Sequence, residues 1–161
     1  MLTVKQKDME PAFRIMKEAA QWLISKGMPL WKPEDFTRER LLKDISENDI
    51  YTAYLSNRPV ASMILQWKDP SFWPNAKADS GFIHKLSVIR EYAGKGIAQE
   101  FINWAKGEVK NRNRTFLRLD CAGDRPTLCK IYEDIGFSKV DRKMVGQFDV
   151  AFYELRVYSH R

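Results

Sequence analysis

The chain has 161 residues, 44% apolar and 30% charged, with 27 lysines and arginines against 21 acids for a formal net charge of +6. This composition excludes a disordered chain, and the length suits one packed domain covering 1–161. The positive balance favours an anionic, phosphate-bearing partner.

No apolar run approaches the roughly 20 residues that cross a bilayer, and Met1–Phe13 lacks the basic-then-apolar layout of a signal peptide. The expectation is a cytoplasmic protein with no membrane partner. Two cysteines, Cys121 and Cys129, are too few for a disulfide framework and have no second Cys/His pair at metal-ligand spacing. Free thiols and no metal are expected. The one dense basic cluster, Lys110-Asn111-Arg112-Asn113-Arg114, reads as the solvated end of a helix and a turn. A nucleic-acid-binding module needs basic residues gathered on one face, so scattered charge disfavours nucleic acid as a partner.

In chain order, a short strand at Leu2–Val4 precedes a helix from Met9. There, Met9, Phe13, Met16, Ala20, Leu23 and Ile24 recur every three to four residues along one face. Asp8 is placed to cap its start and Gly27 to stop it. After the loop Met28–Pro33, a second helix is expected over Phe36–Ile45, with Leu41, Leu42 and Ile45 inward.

Strands Ile50–Leu55 and Val60–Trp67 flank the turn Ser56-Asn57-Arg58-Pro59 as a hairpin. Lys68–Ser80 is irregular. Then come a strand at Phe82–Ile89, a helix at Lys95–Lys110, a strand at Thr115–Leu119, a helix at Pro126–Ile135, and strands at Phe137–Val140 and Val150–Val157. Such alternation points to an α/β domain with one sheet covered by helices.

The segment Leu86 to Ala98 joins an apolar strand, a glycine turn and an amphipathic helix. Glycines let backbone approach a ligand, and the first amides of a helix lack partners within it, so such a turn suits a phosphate. Lys95 adds a positive charge beside it. The spacing is neither the Rossmann nor the P-loop pattern.

Val88–Ala98 resembles the acetyl-coenzyme A signature of the GNAT superfamily of N-acetyltransferases, and Tyr132-Glu133-Asp134-Ile135-Gly136-Phe137 resembles its second signature. The resemblance implies an acyl-CoA N-acyltransferase fold with a mixed, mostly antiparallel sheet. It implies acetyl-CoA as cosubstrate, with Gly94, Lys95, Gly96, Ile97 and Ala98 around the pyrophosphate and Leu86 and Val88 along the pantetheine. The strands corresponding to Phe82–Ile89 and Thr115–Leu119 splay in that family. Two departures stand out: Ala93 where the family usually has arginine or glutamine, and Arg125 where many members have asparagine.

Acetyl transfer to an amine needs a base, an oxyanion donor and an acid. The resemblance makes Tyr132 the acid. His84, on the strand entering the cofactor turn, is the base candidate, grouped by alternation with Leu86 and Val88. Asp79, Asp120 and Glu154 are weaker bases, the Leu86 or Val88 amide is a carbonyl donor, and Cys121 is a covalent alternative. For the acceptor, the resemblance points to Met28–Asp35 and to Asp141–Asp149 as the connection between the last two strands. Trp31 and Asp35 are the binding residues expected there, with Glu34 and Asp149 as further acids, and the irregular Lys68–Ser80 segment, with Asp69, Trp73 and Asp79, is expected to form another wall of the acceptor site. The reading is direct transfer to a primary amine of a small molecule or peptide, with a non-catalytic acetyl-CoA sensor as the alternative. Oligomeric state stays open between monomer and homodimer.

Overall fold

The computed structural model describes residues 1–157. Its strands are β1 (Thr3–Gln6), β2 (Ile50–Leu55), β3 (Arg58–Gln66), β4 (Ser80–Val88), β5 (Phe116–Ala122), β6 (Ser138–Val145) and β7 (Phe148–Arg156). They form one sheet in the order β1-β2-β3-β4-β5-β7-β6. The β4–β5 pair is parallel, and the β1–β2, β2–β3, β5–β7 and β6–β7 pairs are antiparallel. Helices α1 (Met9–Ser25), α2 (Arg38–Leu41), α3 (Ile97–Asn111) and α4 (Pro126–Ile135) accompany it. This is the mixed α/β architecture that the element order implies. The chain divides into two compact units, Met1–Leu65 with Lys85–Asn103, and Gln66–His84 with the chain from Trp104 onward.

In the first unit, the apolar stripe of α1 buries Ala12, Phe13, Met16 and Ala20 against Phe36, Ile50 and Ile64. Side chains the size of Phe13 and Met16 each contribute about 1.5–3 kcal/mol on full burial. Asp8 does not cap the helix with its side chain. Its carboxylate instead accepts the Tyr54 hydroxyl, and only its carbonyl takes the Ala12 amide. At the other end, Gly27 sits at φ +70°, and the Gly27 and Met28 amides return to the Ile24 and Leu23 carbonyls at 3.0 and 2.9 Å.

The second helix is much shorter than expected. A 3-10 turn at Pro33–Asp35 is followed by the single turn of α2, capped where Thr37 accepts the Arg40 amide. Leu41, Leu42 and Ile45 still pack on the α1 cluster. A helix this short has too few hydrogen bonds to stabilise itself, so packing of those side chains directs the backbone. The β2–β3 hairpin turns on Ser56 and Asn57, both at positive φ as a tight hairpin turn requires. Strand β3 starts two residues early because Arg58 and Pro59 pair with Leu55 and Tyr54 across a bulge.

In the second unit, β5 is paired along its whole length with β7. Strand β6 continues to Val145, and only Gly146 and Gln147 separate it from β7. Residues 141–149 are therefore the ends of two paired strands and a two-residue turn, not a long loop. Asp149 lies within β7, where Arg142 Nη2 donates to it at 2.8 Å and holds its carboxyl below the usual carboxylate range. The sequence hides this strand because Ser138–Met144 is exposed throughout and lacks alternation.

Candidate functional site

In the first unit, β4 leads through a 3-10 turn at Arg90–Tyr92 and Ala93 into the glycine turn and α3. Gly94 and Gly96 have φ of +73° and +81°, and a Cβ added at either meets nothing within 4 Å. The turn is thus an open backbone cradle, which fits a diphosphate. The Lys95 amide donates to the Tyr92 carbonyl at 3.3 Å, and the Glu100 amide begins the helical ladder on the Gly96 carbonyl at 3.1 Å. The Gly96, Ile97 and Ala98 amides precede that ladder, at the end of the helix that favours an anion. Ile97, Phe101 and Ile102 are buried and fix the start of α3. The Lys95 ammonium and the Arg58 guanidinium both lie over the Tyr92 ring, at 5.3 and 5.5 Å, and Arg58 also donates to Glu91.

Leu86 and Val88 are half-buried at the end of β4. Lys85 adopts φ +52°, which interrupts the extended backbone, and Ser87 is the buried position beyond it. The alternation that grouped His84 with Leu86 and Val88 is therefore broken between them. The Lys85 ammonium lies 5.4 Å from the Trp31 ring, and Trp31 packs edge-on against Phe36 at 6.1 Å. Asp35 accepts from Arg40 Nη1 at 3.1 Å. Both acceptor candidates of this unit thus have intramolecular partners. An open pocket of about 380 Å³ in this unit is lined by Phe13, Phe36 and charged side chains including Arg14 and Glu39, none of them named as a site residue from the sequence.

In the second unit, the α4 signature has a local cause. Gly136, at φ +120°, ends the helix, and the Gly136 and Phe137 amides return to the Tyr132 carbonyl at 3.2 and 3.1 Å. Phe137 then packs edge-on against the Tyr132 ring at 6.1 Å, with Tyr153 on another side at 6.3 Å. Burial first, then the negative potential of Cys121, Asp120 and Cys129, raises the Tyr132 phenol well above its ordinary pKa. The phenol therefore holds its proton through neutral pH. Cys121 and Cys129 carry free thiols with sulfurs 3.8 Å apart. Burial and the neighbouring Cys129 push the Cys121 thiol far up, which makes it a poor nucleophile.

His84 lies with its Nε2 3.5 Å from Asp69 Oδ2, and Asp120 joins them: one ligand-type atom from each falls within 4.8 Å of the others. From the sequence Asp69 is expected only in a wall of the acceptor site, because nothing in the irregular 68–80 segment marks a partner on another strand. Trp73 packs on Phe82 and Phe152, with ring centroids 6.0 and 5.2 Å away. Its buried indole N–H has no hydrogen-bond partner among the described residues. Asp79 and Glu154 both accept from Arg118, at 3.1 and 2.7 Å, so neither is an uncommitted base.

Residues 12–137 match the model of the acetyltransferase (GNAT) family, and the chain belongs to that family. It is 23% identical over 141 residues, 81% of this chain and 77% of the other, to an uncharacterized N-acetyltransferase, YesJ, of Bacillus subtilis (strain 168). Its fold is similar to that of a GNAT-family acetyltransferase from Listeria monocytogenes 4b F2365, at a TM-score of 0.75 and 18% identity over 96% of this chain and 94% of that one. It is also similar to the PaiA N-acetyltransferase of Thermoplasma acidophilum in complex with coenzyme A, at a TM-score of 0.71 and 17% identity over 97% and 99% of the two chains. Among the described residues, no helix is long and apolar enough to cross a membrane.

Proposed function

We propose that the protein is an N-acetyltransferase that moves the acetyl group of acetyl-CoA directly to a primary amine of a small molecule or peptide. The observation that carries this reading is the open glycine turn at the head of α3, with left-handed Gly94 and Gly96 and helix-start amides aimed as an anion needs. Family membership and the coenzyme A bound by the Thermoplasma relative support the same cosubstrate.

When bound, acetyl-CoA supplies an acetyl thioester. Gly94, Lys95, Gly96, Ile97 and Ala98 hold the pyrophosphate, and Leu86 and Val88 border the pantetheine. His84, directly or through water, takes a proton from the acceptor ammonium so that the nitrogen lone pair forms the new C–N bond. As the C–S bond breaks, its electron pair stays on sulfur, and Tyr132 donates the phenolic proton to that thiolate. The phenol is protonated at neutral pH, as a donor must be, while the burial that raises its pKa makes it a weaker acid than a free tyrosine. Trp31 and Asp35 border the acceptor.

Calorimetric titration of acetyl-CoA, followed by thiol release with a panel of primary amines, tests the reading. The expected outcome is saturable one-to-one binding and amine-dependent thiol release. Binding with no turnover across polyamines, amino acids and peptide N-termini overturns it in favour of an acetyl-CoA sensor.

A further inference from the structure

Asp69, His84 and Asp120 reach one point in the second unit from three stretches of chain: the segment between β3 and β4, β4 itself, and β5. We propose that they form a site for a divalent cation of the zinc type, held by one imidazole nitrogen and two carboxylate oxygens.

Strand pairing and a turn position the three residues. Ile83 of β4 and Leu119 of β5 are register partners, so His84 and Asp120 occupy the next position along each of two parallel strands. Asp69 is held by its own turn, its Oδ1 accepting the Phe72 amide at 3.3 Å and its carbonyl the Trp73 amide at 2.8 Å. That leaves Oδ2 directed at His84.

The Asp69 side chain is only 8% exposed, and its Oδ2 accepts no hydrogen bond among the described residues. A buried carboxylate oxygen without a donor is costly, and a cation removes the cost. The 3.5 Å between His84 Nε2 and Asp69 Oδ2 is beyond a good N–H···O hydrogen bond. It is close to the edge, about 3.3 Å, of a tetrahedron with metal–ligand bonds of about 2.0–2.1 Å.

The ligand set selects among cations. Two carboxylates with a neutral imidazole balance a charge of +2, and an imidazole donor favours zinc and its transition-metal neighbours over magnesium or calcium, which take oxygen. Three protein ligands leave a fourth tetrahedral position open. The site does not depend on the acetyl-transfer reading. One consequence does: an imidazole nitrogen bound to a metal takes no proton, so zinc would inhibit any transfer that uses His84 as base.

The test uses the full chain stripped with a chelator, titrated with zinc chloride by calorimetry and with cobalt(II) by visible absorption. One equivalent of zinc should bind, and cobalt should show the intense d–d bands of a four- or five-coordinate site. Asp69→Asn and His84→Gln should each weaken zinc binding at least about tenfold, with far-ultraviolet circular dichroism unchanged. Should either variant misfold, the wild-type cobalt spectrum and Asp120→Asn carry the same test. No saturable zinc uptake overturns the proposal. So does uptake that survives the ligand variants, or a cobalt–sulfur charge-transfer band abolished by Cys121→Ser, which places the metal on the thiols. Binding of ethylammonium without any zinc uptake also overturns it and gives the cluster to the acceptor. Acetyl-CoA titration of the same metal-free protein reads the transfer proposal separately, so the failure of either is recognisable.

Discussion

Tyr132 and Gly96 carry the functional reading at the scale of single residues. The Tyr132 ring packs against Phe137 and Tyr153, and its burial, with Cys121 and Asp120 nearby, raises the phenol pKa above its ordinary value. Its replacement by phenylalanine leaves the ring packing intact and removes only the hydroxyl. Tyr132→Phe should therefore bind acetyl-CoA as the wild type does while losing about 10²- to 10⁴-fold in kcat, the usual worth of a positioned proton donor. Unchanged kcat would remove the acid assignment. Gly96 allows a complementary test, since its φ of +81° is strained for any L residue, yet a Cβ there meets nothing. Gly96→Ala should cost about 1–2 kcal/mol in urea unfolding. Gly96→Glu should fold with similar loss but show no acetyl-CoA binding by calorimetry, because its carboxylate enters the phosphate cradle.

Among elements, α4 and β6 show what local chemistry does and does not encode. Helix α4 runs over the residues its pattern predicts, from Pro126 at its first turn to Ile135, because its start and stop are built from its own side chains and Gly136. At φ +120°, an alanine at 136 would have only an ordinary contact with Leu155, so strain rather than crowding sets the penalty. Gly136→Ala should lower stability by about 1–3 kcal/mol in urea unfolding, and a neutral result would show that the helix end relaxes. Strand β6 was half legible. Its charged, exposed residues carry no period of two, and main-chain pairing to β7 alone makes it a strand. The kink at Lys85 was not legible at all, since lysine has no preference for left-handed backbone.

For the whole molecule, alkaline stability integrates several buried phenols. Burial and the hydrogen bond to Asp8 push Tyr54 up to about 12, and Tyr132 and Tyr153 are raised further, in each case chiefly by burial. In the unfolded chain these groups ionise near a pKa of about 10. Above that pH the unfolded state binds fewer protons than the native state, so stability falls as pH rises, and below it these tyrosines contribute no slope. Melting temperatures measured between about pH 9 and 11 should drop progressively, and Tyr54→Phe should make the drop shallower by removing one of the linked protons. An equal slope in that variant would place the alkaline sensitivity on other groups.

The sequence by itself determined the features whose causes lie within a few residues: the α1 stripe and its Gly27 stop, the Ser56-Asn57 turn, the bounds of α4, and the glycine turn ahead of α3. In each, the hydrogen bonds or the backbone angles that matter are set by neighbours along the chain. Only the tertiary structure decided that α2 shrinks to one turn, that β6 extends to Val145, that Asp35 and Asp149 are paired with arginines, and that Asp69 and Asp120 meet His84. The physical reason is the same for all of these. Burial and strand pairing come from distant segments, and a carboxylate in an irregular loop carries no mark of the strand it will face until the chain has folded.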